Sequence, residues 1–266
     1  MIDWKKGDTK AMLRQAITVL GIAIALSASG CGSQTSDQTP PLTSAHTAEG
    51  LWSGTTDTKL TFTSAVLDDG TYYSFYSPAA DPTQIAGVIQ GNGTSNNGRF
   101  TSSNTKDFRI GIPVPVPVLD ATLSADFAAR QFFNGSIAYS GTSTVTFTSS
   151  YNNAYDTVPT VASLAGVYTG QAGSSGGVQP ATVTAKADGT FTGIEQSRCT
   201  FTGKTTARTR GNVFNQSMTF AGNPCFFPGS TFQGIVYFDI PTQRLYAAAP
   251  NSSRTDAAIF FGTKTP

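Results

Sequence analysis

Ser175, the adjacent Asp68 and Asp69, and the three cysteines Cys31, Cys199 and Cys225 are the groups in this 266-residue chain with reactive potential. Ser175 lies in Gly173-Ser-Ser-Gly-Gly177, the Gly-x-Ser-x-Gly spacing that can present a nucleophilic hydroxyl on a strand-turn-helix elbow. Such a serine needs a base, and His46 is the one imidazole in the whole sequence. The motif also sits in a Gly/Ser stretch between strand patterns, so a hairpin loop is the reading it supports. Asp68 and Asp69 are side by side, whereas a glycoside-cleaving pair must be held apart across a cleft; an acidic turn explains them. Cys199 and Cys225 form an even pair without Cys-x-x-Cys spacing, which predicts a structural disulfide.

Composition narrows the chemistry further. With one histidine, Ser-His-Asp triads and multi-histidine metal sites cannot be assembled, and no cofactor is expected. Only 12% of residues are charged, and 17 Lys+Arg face 16 Asp+Glu, so nothing electrostatic favours a nucleic-acid partner. The oxygen-rich segment Gly91-Asn-Gly-Thr-Ser-Asn-Asn97 lacks the acidic ligand spacing of a calcium loop. The sequons at Asn92, Asn134, Asn215 and Asn251 read as turn residues.

The N-terminus reads as an export signal. Lys5, Lys6, Lys10 and Arg14 precede a mostly apolar run over residues 16–26, too short for a helix that spans a bilayer (~20 residues) but long enough for a secretory core (~7–15). Leu26-Ser-Ala-Ser-Gly30-Cys31 follows, and it resembles the lipobox of bacterial lipoproteins, with Ala28 where that family most often has Leu. The resemblance implies acylation of Cys31 as the mature N-terminus and a partnership with the membrane through its acyl chains. Gly32 in place of Asp after the cysteine implies the outer membrane by that family's sorting pattern. A start at Met12 would give a tidier signal. The expected organisation is a signal peptide at 1–30, a flexible tether at 31–47 that includes His46, a first β domain at 48–155 and a second, disulfide-bearing one at 156–266.

Two similar units are expected because segments about 115 residues apart match. Glu49-Gly-Leu-Trp-Ser-Gly54 parallels Ala165-Gly-Val-Tyr-Thr-Gly170. Asp68-Asp-Gly-Thr-Tyr-Tyr73 parallels Ala187-Asp-Gly-Thr-Phe-Thr192, and Phe133-Asn-Gly-Ser-Ile-Ala-Tyr139 parallels Phe232-Gln-Gly-Ile-Val-Tyr-Phe238. Apolar residues recur at period two between Gly, Asn and Asp turns, as in Phe214, Gln216, Met218 and Phe220 against Val213, Asn215, Ser217 and Thr219. Asp69-Gly70 and Asp188-Gly189 predict tight type I′ hairpins. An all-β chain follows, with two tandem antiparallel domains of roughly eight strands each, closed as small barrels in preference to stacked sandwiches. A short helical turn after Pro159 leads into the second unit. The alternation Ile112-Pro-Val-Pro-Val-Pro-Val118 cannot donate ladder hydrogen bonds at its prolines, so it is an edge, a polyproline segment or a loop across a barrel end.

Tyr72-Tyr-Ser-Phe-Tyr76 and Cys225-Phe-Phe-Pro-Gly229 concentrate aromatic side chains. Either Tyr73 and Phe75 or Tyr72 and Tyr76 face outward, as a binding patch or as ordinary packing, and Tyr72, Tyr76, Phe226 and Phe227 are the candidate ligand contacts. Lys204, Arg208 and Arg210 make the most basic short segment, a contact region or a solvated hairpin face. The Gly-x-Trp/Tyr openings and hairpin-rich halves resemble the lipid-anchored barrel lobes of transferrin-binding protein B and factor H-binding surface lipoproteins. Gly50-Leu-Trp52 also resembles the lipocalin Gly-x-Trp opening, without that family's closing helix. The function expected is a non-enzymatic binding or structural module of the bacterial envelope, its partner an unidentified protein or small molecule. A histidine-free envelope hydrolase and a surface assembly component are the alternatives.

Overall fold

Alternation of apolar and polar residues commits most segments to an extended conformation, and within each unit most strands pair antiparallel with the next. The computed structural model describes residues 46–78, 81–110, 118–141 and 143–266. The first unit is built from β1 (Gly50–Thr56), β2 (Thr61–Val66), β3 (Thr71–Ser77), β4 (Gly87–Asn92), β5 (Thr94–Asn96), β6 (Arg99–Arg109), β7 (Leu119–Ala128), β8 (Phe132–Tyr139) and β9 (Thr144–Tyr151). Neighbouring strands pair antiparallel, β9 returns to β1, and β4 pairs with β6 to close an eight-stranded barrel with β5 as a short flap on β6. The second unit is β10 (Gly166–Ser174), β11 (Gly177–Ala185), β12 (Thr190–Glu195), β13 (Thr200–Ala207), β14 (Phe214–Phe220), β15 (Thr231–Asp239), β16 (Arg244–Pro250) and β17 (Ala257–Lys264), closed by β17 on β10. Both units are therefore barrels, and closure hides the edges that open sheets would expose. Two single 3-10 turns, Asn153–Asp156 and Val161–Leu164, link them where a helical turn was expected.

The repeat is real at its start. Gly54 in β1 and Gly170 in β10 occupy the same place at the seam, where an added Cβ would lie 2.0 Å from the Thr148 carbonyl oxygen of β9 and 2.0 Å from that of Phe261 in β17. Only glycine lets the first strand approach the last so closely. The third sequence match does not hold in space. Phe133 lies on β8, the seventh barrel strand of its unit, and Phe232 on β15, the sixth strand of its own. Short Phe-x-Gly strands look alike wherever a barrel needs one.

The Asp-Gly turns also differ from expectation. Gly70 N–H donates to Leu67 O and Leu67 N–H to Thr71 O, with Lys186, Gly189 and Thr190 repeating the pattern. Only Gly70 (φ 80°) and Gly189 (φ 85°) are left-handed, so these are three-residue loops with a glycine bulge and not type I′ turns. The aspartates act through their side chains: Asp69 Oδ1 accepts from Thr71 N–H and Asp188 Oδ1 from Thr190 N–H, both at 2.9 Å. Of the sequon asparagines, Asn134 and Asn215 lie within strands β8 and β14 and Asn92 ends strand β4, so these three are strand and not turn residues.

Three apolar clusters hold the fold. One lies inside the first barrel around Trp52, Tyr72, Phe100, Leu123 and Phe133. Another lies inside the second around Tyr168, Phe191, Phe201, Phe220 and Phe238, with Leu164 of the linking turn closing its base. The third lies between the barrels: outward-facing Leu51, Tyr73, Phe75, Val88 and Phe108 meet Val213, Ile235, Tyr237, Ile259 and Phe261. Phe75 and Tyr246 touch edge to face across it, with ring centroids 5.6 Å apart. β3 and β4 are thereby buried on both faces, and burial of each large side chain contributes about 1.5–3 kcal/mol.

Polar contacts frame this interface. Arg210 makes a two-pronged pair with the buried Glu49, Nε to Oε1 at 2.9 Å and Nη2 to Oε2 at 2.6 Å. Arg208 pairs with Asp68, and Arg254 donates to Gln90 Oε1 at 2.8 Å and to the Asn104 carbonyl at 2.7 Å. Arg208 and Arg210 of the basic segment thus contact the chain's own first barrel, where Asp68 and Asp69 face Arg208 and Glu49 faces Arg210.

Candidate ligand cavities

Alternation sends every second side chain of each strand into its barrel, and the resulting interiors are not filled. The first barrel encloses a cavity of about 470 Å³ and the second one of about 400 Å³. Both fall in the range of small-molecule sites, and each exceeds twice the ~150 Å³ that accommodates benzene in an engineered cavity. The first is lined toward its mouth by Thr56 and Thr58 of the β1–β2 turn, Pro78 and Ala86 of the β3–β4 loop, and Tyr139 at the end of β8. The second reaches Gly176 and Gly177 of the β10–β11 turn, Ser197 of the β12–β13 turn, and Pro224 and Phe226 of the β14–β15 loop. The two mouths are therefore at equivalent ends of the two repeats.

The first cavity has an apolar body of Phe62, Ile89, Leu123, Ile137 and Phe147 and one polar wall. Asp107, 1% exposed, accepts from Tyr76 Oη at 2.7 Å on Oδ1, and on Oδ2 from Tyr139 Oη and Arg109 Nε, both at 2.9 Å. The Arg109 guanidinium also lies 5.4 Å from the centre of the Tyr139 ring. Burial, then the adjacent Asp107 charge, pushes the Tyr76 and Tyr139 hydroxyls well above the usual phenol range, so both stay protonated donors. Burial opposes the charge on Arg109, and its contacts with Asp107 outweigh that and raise its pKa.

Asp107 and Arg109 face inward because of a register shift in β6 between Ser102 and Thr105. Before it Phe100 and Ser102 point into the barrel; after it Thr105, Asp107 and Arg109 do, and Phe108 turns to the interface. Below the cluster, Tyr72 Oη bonds Thr105 Oγ1 at 2.6 Å, and Ser64 and Ser74 pair at 2.6 Å.

The second cavity has an apolar body of Ala172, Val183, Phe191, Phe201, Met218, Val236 and Phe260, with Ser174, Gln179, Glu195, Ser197, Thr205 and Gln216 spread through its lining. Phe226, 62% exposed, and Phe227 stack edge to face at 4.7 Å at its rim, on the loop that the Cys199–Cys225 disulfide ties to β13. Glu195 at the rim takes its Gln179 Nε2 bond at 2.5 Å, and burial raises its pKa.

Of the sequence-derived contact residues, Tyr76, Phe226 and Phe227 line cavities, while Tyr72 is fully buried beneath one and Tyr73 and Phe75 pack against the other barrel. Ser175 is pinned by Asp256, whose carboxylate accepts from both its N–H and its hydroxyl; the loop is anchored and the hydroxyl is engaged by an acid. Cys31, the lipobox and the 112–117 proline alternation lie outside the described residues. Asp107, Arg109 and Tyr139 escaped the sequence reading; the signal was an acid and a base flanking Phe108 at the end of a long, mostly polar strand pattern. Among the described residues no cluster of three or more His, Cys, Asp or Glu could hold a metal ion, and no helix is long and apolar enough to cross a membrane. The chain matches no protein-family model and no curated protein.

Proposed function

We propose that this chain is a lipid-anchored lipoprotein of the bacterial outer membrane whose paired barrels form a non-enzymatic binding module for small, largely apolar molecules. The observation that carries the binding half is the pair of unfilled barrel interiors with mouths at equivalent ends. The anchoring half rests on the lipobox-like residues before Cys31. The double barrel fits the lobe description of the surface lipoproteins that the sequence resembles. An acylated cysteine would hold the module at the membrane, because two or more chains anchor far more firmly than one.

Two measurements test the reading. Labelled fatty acid should enter the protein in cells and disappear with Cys31→Ser; an unlabelled wild type removes the anchor. Solvent extraction of the purified full chain, followed by mass spectrometry, should recover apolar small molecules at near-stoichiometric amounts, or the chain should take up a fluorescent apolar probe. Barrels that neither carry nor accept such molecules would remove the binding role.

A further inference from the structure

The polar wall of the first cavity narrows the class of ligand beyond the binding role proposed above, on which this inference rests. We infer that the first barrel takes an uncharged amphiphile, its apolar body among Leu123, Ile137 and Phe147 and its hydroxyl or carbonyl head against Arg109, Tyr76 and Tyr139. Among the described residues, Asp107 and Arg109 are the only charged ones lining this cavity, and they cancel. A carboxylate head near Arg109 would also face Asp107, which holds the same guanidinium at 2.9 Å, and would leave the wall with uncompensated negative charge. An ammonium head meets the reverse problem. A neutral head avoids both penalties. It can accept from the guanidinium N–H groups that do not reach Asp107, and it can donate to the lone pairs of Tyr76 and Tyr139, whose own protons are committed to Asp107. The second cavity has no such charged pair: among the described residues its lining carries one charged group, Glu195 at the rim, beside the uncharged Ser174, Gln179, Ser197, Thr205 and Gln216.

Titration calorimetry of the full chain carrying Cys31→Ser, with 1-decanol, decanoate and decylamine, tests this. To isolate the first cavity, Ala172→Phe fills the second. The alcohol should bind at least about tenfold more tightly than either ion, because like charges set against each other at a binding surface are costly. Asp107→Asn should invert the order so that decanoate leads, which a purely structural role for Asp107 would not produce. Ile137→Trp should abolish alcohol binding with the fold intact by circular dichroism, which places the site even if Asp107→Asn does not fold. Equal affinities for the three heads, or alcohol binding that survives Ile137→Trp, overturn the inference while leaving the binding role standing. Failure of both barrels to accept any apolar probe would instead remove that role.

Discussion

Trp52 and Tyr168 make the same contact in the two barrels. Each is fully buried on the first strand of its unit and donates to a backbone carbonyl four residues earlier, Trp52 Nε1 to Ala48 O at 3.0 Å and Tyr168 Oη to Leu164 O at 2.8 Å. One bond fastens the incoming chain to the base of the first barrel, and the other fastens the linking turn to the base of the second. Two different ring chemistries meet one need, which is to satisfy a carbonyl that closure removes from water.

Tyr168→Phe keeps the ring and strands the Leu164 carbonyl. The expected cost is about 1–3 kcal/mol, read as a shift of the denaturant midpoint at unchanged slope. A neutral outcome would mean that water reaches this carbonyl.

Gly170→Ala tests the seam of the second barrel. With backbone 2.0 Å from the new methyl, β10 and β17 must separate, and the expected loss is among the largest for any single methyl in the chain. Gly177→Ala, with nothing near its Cβ position, controls for added bulk at a loop and should cost only the strain of its φ of 122°. Hydrogen exchange across β10 and β17 would show whether the seam opens.

All nine tyrosines have hydroxyl pKa values raised by burial first, those of Tyr73 and Tyr168 to about 12. A folded value above the unfolded 10.0 means that the contribution to stability is complete below pH 10.0 and is lost as pH rises through the folded values. Phenolate absorbance should therefore lag behind that of free tyrosine and then rise together with the loss of the β circular dichroism signal. Phenolates that appear near pH 10.0 with the fold intact would contradict this.

Reduction of Cys199–Cys225, 26 residues apart, should lower stability by about 3–4 kcal/mol on chain-entropy grounds. It should also loosen the Phe226–Phe227 rim, so an apolar probe in the second barrel should leave faster while one in the first is unaffected. Stopped-flow release with Cys199→Ser/Cys225→Ser measures both.

Arg210→Met removes the two-pronged pair from the buried Glu49, which still accepts from Tyr155 Oη at 3.0 Å. The expected destabilisation is roughly 2–4 kcal/mol, below the top of the range for broken buried pairs because Arg210 is 27% exposed. Because the apolar interface joins the barrels, wild type should unfold in one transition; two transitions in wild type would show that the interface contributes little.

Strand number, barrel closure, the opening of the repeat and the disulfide were legible because period-two alternation, turn residues and an even pair of cysteines are local signals. The interface was not. Tyr73, Phe75, Ile235 and Tyr237 are apolar on the outward phase, and alternation cannot say whether the outside of a barrel meets water or another barrel. The polar wall was hidden for a different reason: Tyr76 and Tyr139 lie 31 and 32 residues from Asp107 on either side along the chain, and their meeting depends on which strands close the barrel. The aromatic clusters pointed to the cavities only in part, since Tyr72 belongs to the packing under one of them.

The irregularity in β6 makes a single backbone step decisive. Deleting one residue between Ser102 and Thr105 would leave composition almost untouched, yet it would hand Phe108 to the barrel lumen and thrust Asp107 and Arg109 into the greasy join between the two halves. An insertion or deletion here is thus a more drastic edit than any nearby substitution: it would swap the inside of the container with its outer wall.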